Sequence, residues 1–412
     1  MSGRLAFLLL AAAGAFSIGI PSSAQNAATA EASPRTPEEA ADAEVPPDND
    51  KDAQKLADTA KKARPTPIGG KVNPKAGEAD VLAVTTVSAE DLAAENKRRP
   101  KQNPQKLLKT GIALYERGEY KEALELFDRL AQAGMKEAQY RIGLAYEEER
   151  GVRRNYETAM KWHKLAANKG YTPAQHAIGS MYYDGQGVDI NYEEALKWER
   201  KAAEKKYAPA EYLLGRMYES GEGVVRDIYA AADYYKKAAA QNHNDAKYAL
   251  AILYAEGRGV QRDPAKAFQL FQAAAAKGHK EAAYQTGLAY QTGKGTATDQ
   301  KAAFEWYSKA AERGHMKAIY NMGTMYANAE GVRRELDRAY FYFILAKGLG
   351  LPNADPAIQM TERKLRPEAV EKQVKLARAE LARIRKANGL DGAGKTLVIQ
   401  QDDGEEEQAP EE

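Results

Sequence analysis

A single skeleton returns every 36 residues, six times in succession, with no drift in phase. A small residue opens each copy: Ala138, Ala174, Ala210, Ala246, Ala282 and Ala318. A tyrosine follows at Tyr146, Tyr182, Tyr218, Tyr254, Tyr290 and Tyr326, and a loop glycine at Gly151, Gly187, Gly223, Gly259, Gly295 and Gly331. A second run carries Ala159 and Ala166 and their counterparts in each copy, with Trp162, Trp198, Tyr234, Leu270, Trp306 and Tyr342 between them. A fixed period in this range marks a repeat architecture. Small and large apolar residues recur at three- and four-residue steps on both sides of the loop. That spacing predicts two amphipathic helices per copy. The small columns let the two helices approach closely, and the aromatic columns fill the space between them. One such hairpin cannot bury its own apolar face, so the copies must stack. The expected fold is all-α, a right-handed α-solenoid of antiparallel helix pairs.

The skeleton resembles the Sel1-like repeat family, a relative of the tetratricopeptide repeat. The segments AQHAIGSMYYDGQGV followed by ALKWERKAA, and AIYNMGTMYANAEGV, carry the likeness, which covers residues 138–353 in six copies. The departures are Ala251 for the first-helix glycine, Leu270 for the aromatic residue and Thr296 for the loop valine. Some members of that family are stapled by disulfides, whereas this chain has no cysteine and must rely on packing. The absence of cysteine also excludes a thiolate nucleophile, zinc-finger sites and a lipid-modified N-terminal cysteine.

Composition narrows the function classes. A mean hydropathy of -0.64 and 29% charged residues describe a soluble chain, and a net charge of +2 provides no global basic field for nucleic acid. Residues 1–24 read as a secretory signal: Arg4 precedes an apolar run from Leu5 to Ile20, then Pro21 and Ser22-Ser23-Ala24, with cleavage expected after Ala24. An uncleaved anchor is the alternative, but the run contains Gly14 and Gly19 and falls short of the ~20 apolar residues a spanning helix needs. The expected location is a Gram-negative periplasm. Residues 25–104 read as a mostly disordered linker, with a possible short helix at 88–98 that could dock on a partner or on the solenoid itself. Residues 105–137 keep the phase through Ala123 and Gly134 with a tighter turn, and form an N-terminal capping repeat. Residues 354–388 contain two capping helices. The longer, Pro367 to Ala387, would lay Val370, Val374, Leu376, Ala377, Leu381 and Ile384 on the last repeat. Residues 389–412 form an acidic tail.

Four motifs invite chemistry. The string from Gly389 to Thr396 matches the P-loop pattern letter for letter. A helix precedes it where a strand is needed, so no nucleotide is expected. His243, His279 and His315 share one column. Packed helices lie about 8–10 Å apart, so the three cannot converge on one metal, and they read as surface turn residues. The column His163, Glu199, Tyr235, Phe271, Tyr307 and Phe343 could be an aromatic binding strip, but its spacing places it on the packed side. Carboxylate pairs such as Glu193 and Glu194 lie on exposed faces without convergent partners. No catalytic residue, cofactor or metal is assigned.

What remains is the face of each first helix turned away from its second helix, at the third and sixth residues after the opening alanine: Arg141, Leu144, Ala177, Ser180, Leu213, Arg216, Ala249, Ile252, Gln285, Leu288, Asn321 and Thr324. Its mixed apolar and polar character suits a protein segment held on the concave surface. The expected function is an exported, non-enzymatic scaffold for other proteins, such as envelope proteins or the periplasmic domains of membrane proteins. The resemblance implies roles as an adaptor in the bacterial envelope. It also implies a periplasmic negative regulator of a sensor kinase controlling exopolysaccharide production, and, for some members, a link to cell-wall or β-lactam chemistry. The Trp198 column is expected to be core, so that Trp198→Ala costs about 3–5 kcal/mol.

Overall fold

The computed structural model describes residues 103–389. Among these residues every regular element is a helix. α1 (Pro104–Glu116) and α2 (Tyr120–Gln132) precede six pairs. These are α3 (Lys136–Glu148) with α4 (Tyr156–Asn168), α5 (Thr172–Asp184) with α6 (Tyr192–Ala203), and α7 (Ala208–Ser220) with α8 (Ile228–Ala240). They continue as α9 (Asn244–Glu256) with α10 (Pro264–Ala275), α11 (Lys280–Thr292) with α12 (Gln300–Ala311), and α13 (Met316–Asn328) with α14 (Leu336–Gly348). α15 (Asp355–Glu362) and α16 (Pro367–Ala387) follow. Each first helix packs on its own second helix, and each second helix packs on the first helix of the next repeat, which is a solenoid. The expected signal at 1–24, the linker with its 88–98 segment and nearly all of the P-loop-like string and acidic tail lie outside the described residues.

The sequence determines where each helix starts and stops. Second helices begin at Asn155, Asn191, Asp227, Asp263 and Asp299, whose side chains accept backbone N–H groups of the first turn. This satisfies donors that a helix start leaves unpaired. The backbone N–H of each of these caps also donates to the carbonyl of the column tyrosine before it, as from Asn191 to Tyr182 at 2.9 Å. The turn between the helices is thereby pinned at both ends. The loop glycine is where one repeat touches the one before it. A Cβ on Gly295 would lie 2.0 Å from the Pro264 carbonyl oxygen, and Gly295 has a φ of +81°.

The opening alanines, Ala138 through Ala318, are all fully enclosed. Opposite each first-helix glycine stands an enclosed side chain of the second helix. A Cβ on Gly287 would meet the Tyr307 ring at 2.7 Å, and one on Gly323 the Phe343 ring at 2.7 Å. The column from His163 to Phe343 is therefore the buried one, with exposures of 0–7%. The tryptophan column one residue earlier is only half-buried. Trp198 and Trp306 lie under the ammonium groups of Lys201 and Lys309 at 4.9 and 3.7 Å. That corrects the sequence expectation: Trp198 is a rim residue, and the figure for a fully buried aromatic belongs to its neighbour column. On α16 the buried residues are Gln373, Ala377, Leu381 and Ile384, while Leu376 is 48% exposed, so Gln373 takes the place expected for Leu376. The helix packs on α14, and Arg385 donates to the Gly348 carbonyl at 3.0 Å, satisfying the C-terminal end of α14.

Candidate functional site

The first-helix face divides into two columns of differing exposure. At the third position, Arg141, Gln285 and Asn321 are half-buried, and Leu213 is buried at 6% exposure. At the sixth, Leu144, Ser180, Ile252 and Leu288 are half-buried, Arg216 is exposed, and Thr324 is 9% exposed. Leu213 and Thr324 thus add little surface. Several of the others are already engaged. Arg141 pairs with Glu137 at 3.2 Å and lies 5.9 Å from the Phe127 ring. Ser180 donates to Asp184 at 3.5 Å. Gln285 lies beside the Tyr248 hydroxyl, and Asn321 beside those of Tyr284 and Tyr307.

A polar seam at the C-terminal ends of the first helices borders this face, and nothing in the sequence reading singled it out. Arg216 donates to the Tyr183 hydroxyl at 3.2 Å and covers its ring at 5.2 Å. Tyr183 donates to Glu222 of the next repeat at 2.6 Å, and Ser220 to the same carboxylate oxygen at 2.7 Å. Burial, then the Glu222 hydrogen bond, raises the Tyr183 phenol. One repeat on, Glu219 accepts from Tyr235 at 2.7 Å and pairs with Arg258 at 3.1 Å. Gln291 accepts from Tyr307 at 2.7 Å and donates to Glu330 at 3.4 Å. The sequence signal was a pair of columns 16 residues apart: Glu147 with His163, Glu219 with Tyr235 and Gln291 with Tyr307 match polar with polar, whereas Ala255 and Ala327 face Phe271 and Phe343.

The first two repeats hold two buried acid–imidazole pairs. Nε2 of His163 lies 3.1 Å from Glu147, and Nδ1 of His176 lies 2.9 Å from Glu199. Burial raises the Glu199 carboxyl, and the His176 hydrogen bond and charge oppose that rise. His163 and Glu199 are fully enclosed, while their partners Glu147 and His176 keep 17% and 24% of their side-chain exposure. Surface concavities of about 450 and 320 Å³ lie at Arg333–Asp337 and beside Trp306, away from both pairs. Among the described residues no three His, Asp or Glu side chains converge on a point that could hold an ion.

The histidine column departs from expectation. His243, His279 and His315 are not free surface residues: they are N-caps of α9, α11 and α13, half-buried against tyrosines.

Comparison with known proteins places this geometry. The Sel1 repeat family model matches six consecutive segments, residues 136–171, 172–207, 208–243, 244–279, 280–315 and 317–351. No curated protein matches the chain. A Sel1 repeat protein from Oxalobacter formigenes is 33% identical, with 58% of this chain and 98% of that one covered and a TM-score of 0.55. A protective antigen of uropathogenic Escherichia coli with an SLR fold is 22% identical, with 76% and 99% covered and a TM-score of 0.37. No helix among the described residues is long and apolar enough to cross a membrane.

Proposed function

The chain belongs to the Sel1 repeat family, and from that premise we propose that it is an exported, periplasmic adaptor that holds envelope proteins on its first-helix face. Sel1 repeats form protein-interaction scaffolds; the location, the face and the partner class are our reading. One observation supports the face. Columns that pack the solenoid repeat the same small residues, whereas the third and sixth positions vary from copy to copy, as Arg141, Leu213, Gln285 and Asn321 do. A surface that differs at every step along a fixed frame can be matched by one particular segment and not by others. Export rests on Arg4, the apolar run to Ile20 and the small residues before Gln25.

The test is photo-crosslinking in the protein's native cells, with the reactive residue placed at Ser180 or Arg216 and, as a control, at the exposed second-helix residue Lys301. Capture of an envelope protein from the first two positions and not from Lys301 supports the reading. Equal capture from all three, or recovery of the protein in the cytoplasmic fraction, overturns it.

A further inference from the structure

Three consecutive first helices begin on a histidine that works only while neutral. Nδ1 of His243 accepts the Ala246 backbone N–H at 3.2 Å, Nδ1 of His279 that of Ala282 at 3.1 Å, and Nδ1 of His315 that of Ala318 at 3.2 Å. A backbone N–H can only donate, so each Nδ1 must be unprotonated and the single ring proton sits on Nε2. Each ring also lies flat on a tyrosine of the preceding repeat: His243 on Tyr212 at 4.9 Å, His279 on Tyr248 at 4.5 Å and His315 on Tyr284 at 4.4 Å. The stack holds Nδ1 in place over the helix start. A second proton would remove the acceptor and set a positive charge against the positive end of the helix. The equivalent residues before α5 and α7 are Tyr171 and Tyr207, which make no side-chain cap. There Pro173 and Pro209 occupy the first turn, and the missing proline N–H leaves one donor fewer to satisfy.

We propose that the joints between repeats 3 and 4, 4 and 5, and 5 and 6 are proton-gated: between neutral pH and about pH 5, where histidine titrates, acid uncaps α9, α11 and α13 and leaves the starts of α5 and α7 unmoved. The inference does not depend on what the first-helix face binds.

The groups around each ring differ between the three joints. His243 faces Asp245 on its own helix, His176 from α5 and the Tyr212 ring, and burial lowers it. His279 faces two carboxylates, with Asp245 3.4 Å from Nε2 and Glu281 3.6 Å from Nδ1. His315 faces Glu281, Lys280 and Lys317, and burial lowers it to about 4. Its Ala318 N–H is shared with the His315 carbonyl at 3.0 Å. A folded-state pKa below the unfolded value means stability that is complete above about 6.5 and lost as pH falls towards the folded value. For His315 this favours the open helix start by about 30-fold at pH 5, given a pKa shift from 6.5 to about 4. The start of α13 is therefore expected to be more sensitive than that of α9.

Hydrogen exchange of the full chain at pH 7 and pH 5, corrected for intrinsic rates, tests this directly. The comparison protein carries His243→Asn, His279→Asn and His315→Asn, because asparagine caps a helix at either pH. The wild type should lose protection at the starts of α9, α11 and α13, most at α13 and by about 20-fold there, while the asparagine protein changes no more than α5 and α7 do. Unchanged wild-type protection at the three starts, or an equal loss in the asparagine protein, overturns the proposal. If the triple variant does not fold, His315→Asn alone must abolish the response at α13 and spare that at α9.

Discussion

The early and late repeats solve the same two packing problems with different chemistry. Each repeat has an enclosed slot facing the first-helix glycine, or Ala251 in the fourth, and a helix start that needs a cap. In repeats 1 and 2 the slot holds His163 and Glu199, and the next helix starts on a tyrosine. In repeats 3 to 5 the slot holds Tyr235, Phe271 and Tyr307, and the next helix starts on a histidine. The protein has five histidines, and each of the five rings contacts a tyrosine ring, stacked on it in the late repeats and tilted or edge-on in the early ones. Tyr140 meets the rings of His163 and Tyr171 at tilted angles, and Tyr284 in the same place meets Tyr307 tilted and stacks on His315. The backbone frame, set by alanine and glycine, is indifferent to which position carries the ionisable ring. Stability against pH is not indifferent to it. Early repeats keep their titrating groups in the core, late repeats at the joints.

The largest effect should come from emptying a late slot. Tyr307→Ala removes a fully enclosed ring and should cost about 3–5 kcal/mol in urea unfolding. Trp306→Ala, one residue away, should cost distinctly less, because that ring is half-buried under Lys309. Equal losses would mean that the two columns do not differ in packing.

Next in size is the early pair. His176→Ala strands the enclosed Glu199 carboxylate without its hydrogen-bond partner. At neutral pH that should cost about 3 kcal/mol, towards the low end for a broken buried pair, since the His176 side chain keeps 24% of its exposure. Replacing both, as His176→Tyr with Glu199→Tyr, reproduces the late pattern and should be neutral or stabilising. A double variant as unstable as the single one would show that the early slot is shaped for the hydrogen-bonded pair and cannot take a ring.

A smaller effect separates the two regions by sign. Burial raises Glu199, so its folded form holds a proton more tightly than the unfolded chain. Such a group contributes stability that is complete below the unfolded carboxyl value and lost as pH rises through the folded one. Acidification should therefore tighten α6 while it loosens the start of α13. Hydrogen exchange at pH 7 and pH 5 should show opposite changes in the two segments, and Glu199→Gln should flatten the first while leaving the second. Changes of the same sign in both would show that acid acts on the solenoid as a whole.

The period made the fold legible, because alanine and glycine columns in strict phase have few other physical explanations. The slot column was legible too, since its spacing from the two alanine columns puts it between helices. The tryptophan column misled, because a large ring at helical spacing looks like core whether a neighbour or only a lysine stem covers it. The histidine caps were invisible for a different reason. An N-cap is expected to be Ser, Thr, Asp or Asn, and His243, His279 and His315 follow a glycine or asparagine that reads as an ordinary turn. The polar seam from Tyr183 to Glu222 depends on contacts 39 residues apart, across two repeats, which a column read within one repeat cannot reveal.

The smallest effect lies at the edges of the array. First helices end on a residue in the left-handed region: Gly185, Gly221, Gly257 and Gly293 in the middle copies, but Glu149 in the first and Ala329 in the last. A side chain at a φ of +62° strains Ala329, and glycine there removes the strain at the cost of a more flexible unfolded chain. Ala329→Gly should raise stability by about 0.5–1 kcal/mol. The same change at Glu149, at a φ of +59°, also gives up a 3.8 Å contact with Arg154, which is exposed and worth little. In a nearly one-dimensional array the gain at position 329 should appear in exchange from α13 and α14 and fade towards α3. A gain spread evenly over all six repeats would show that the early and late halves unfold as one unit, and their separate responses to acid would then have to be coupled.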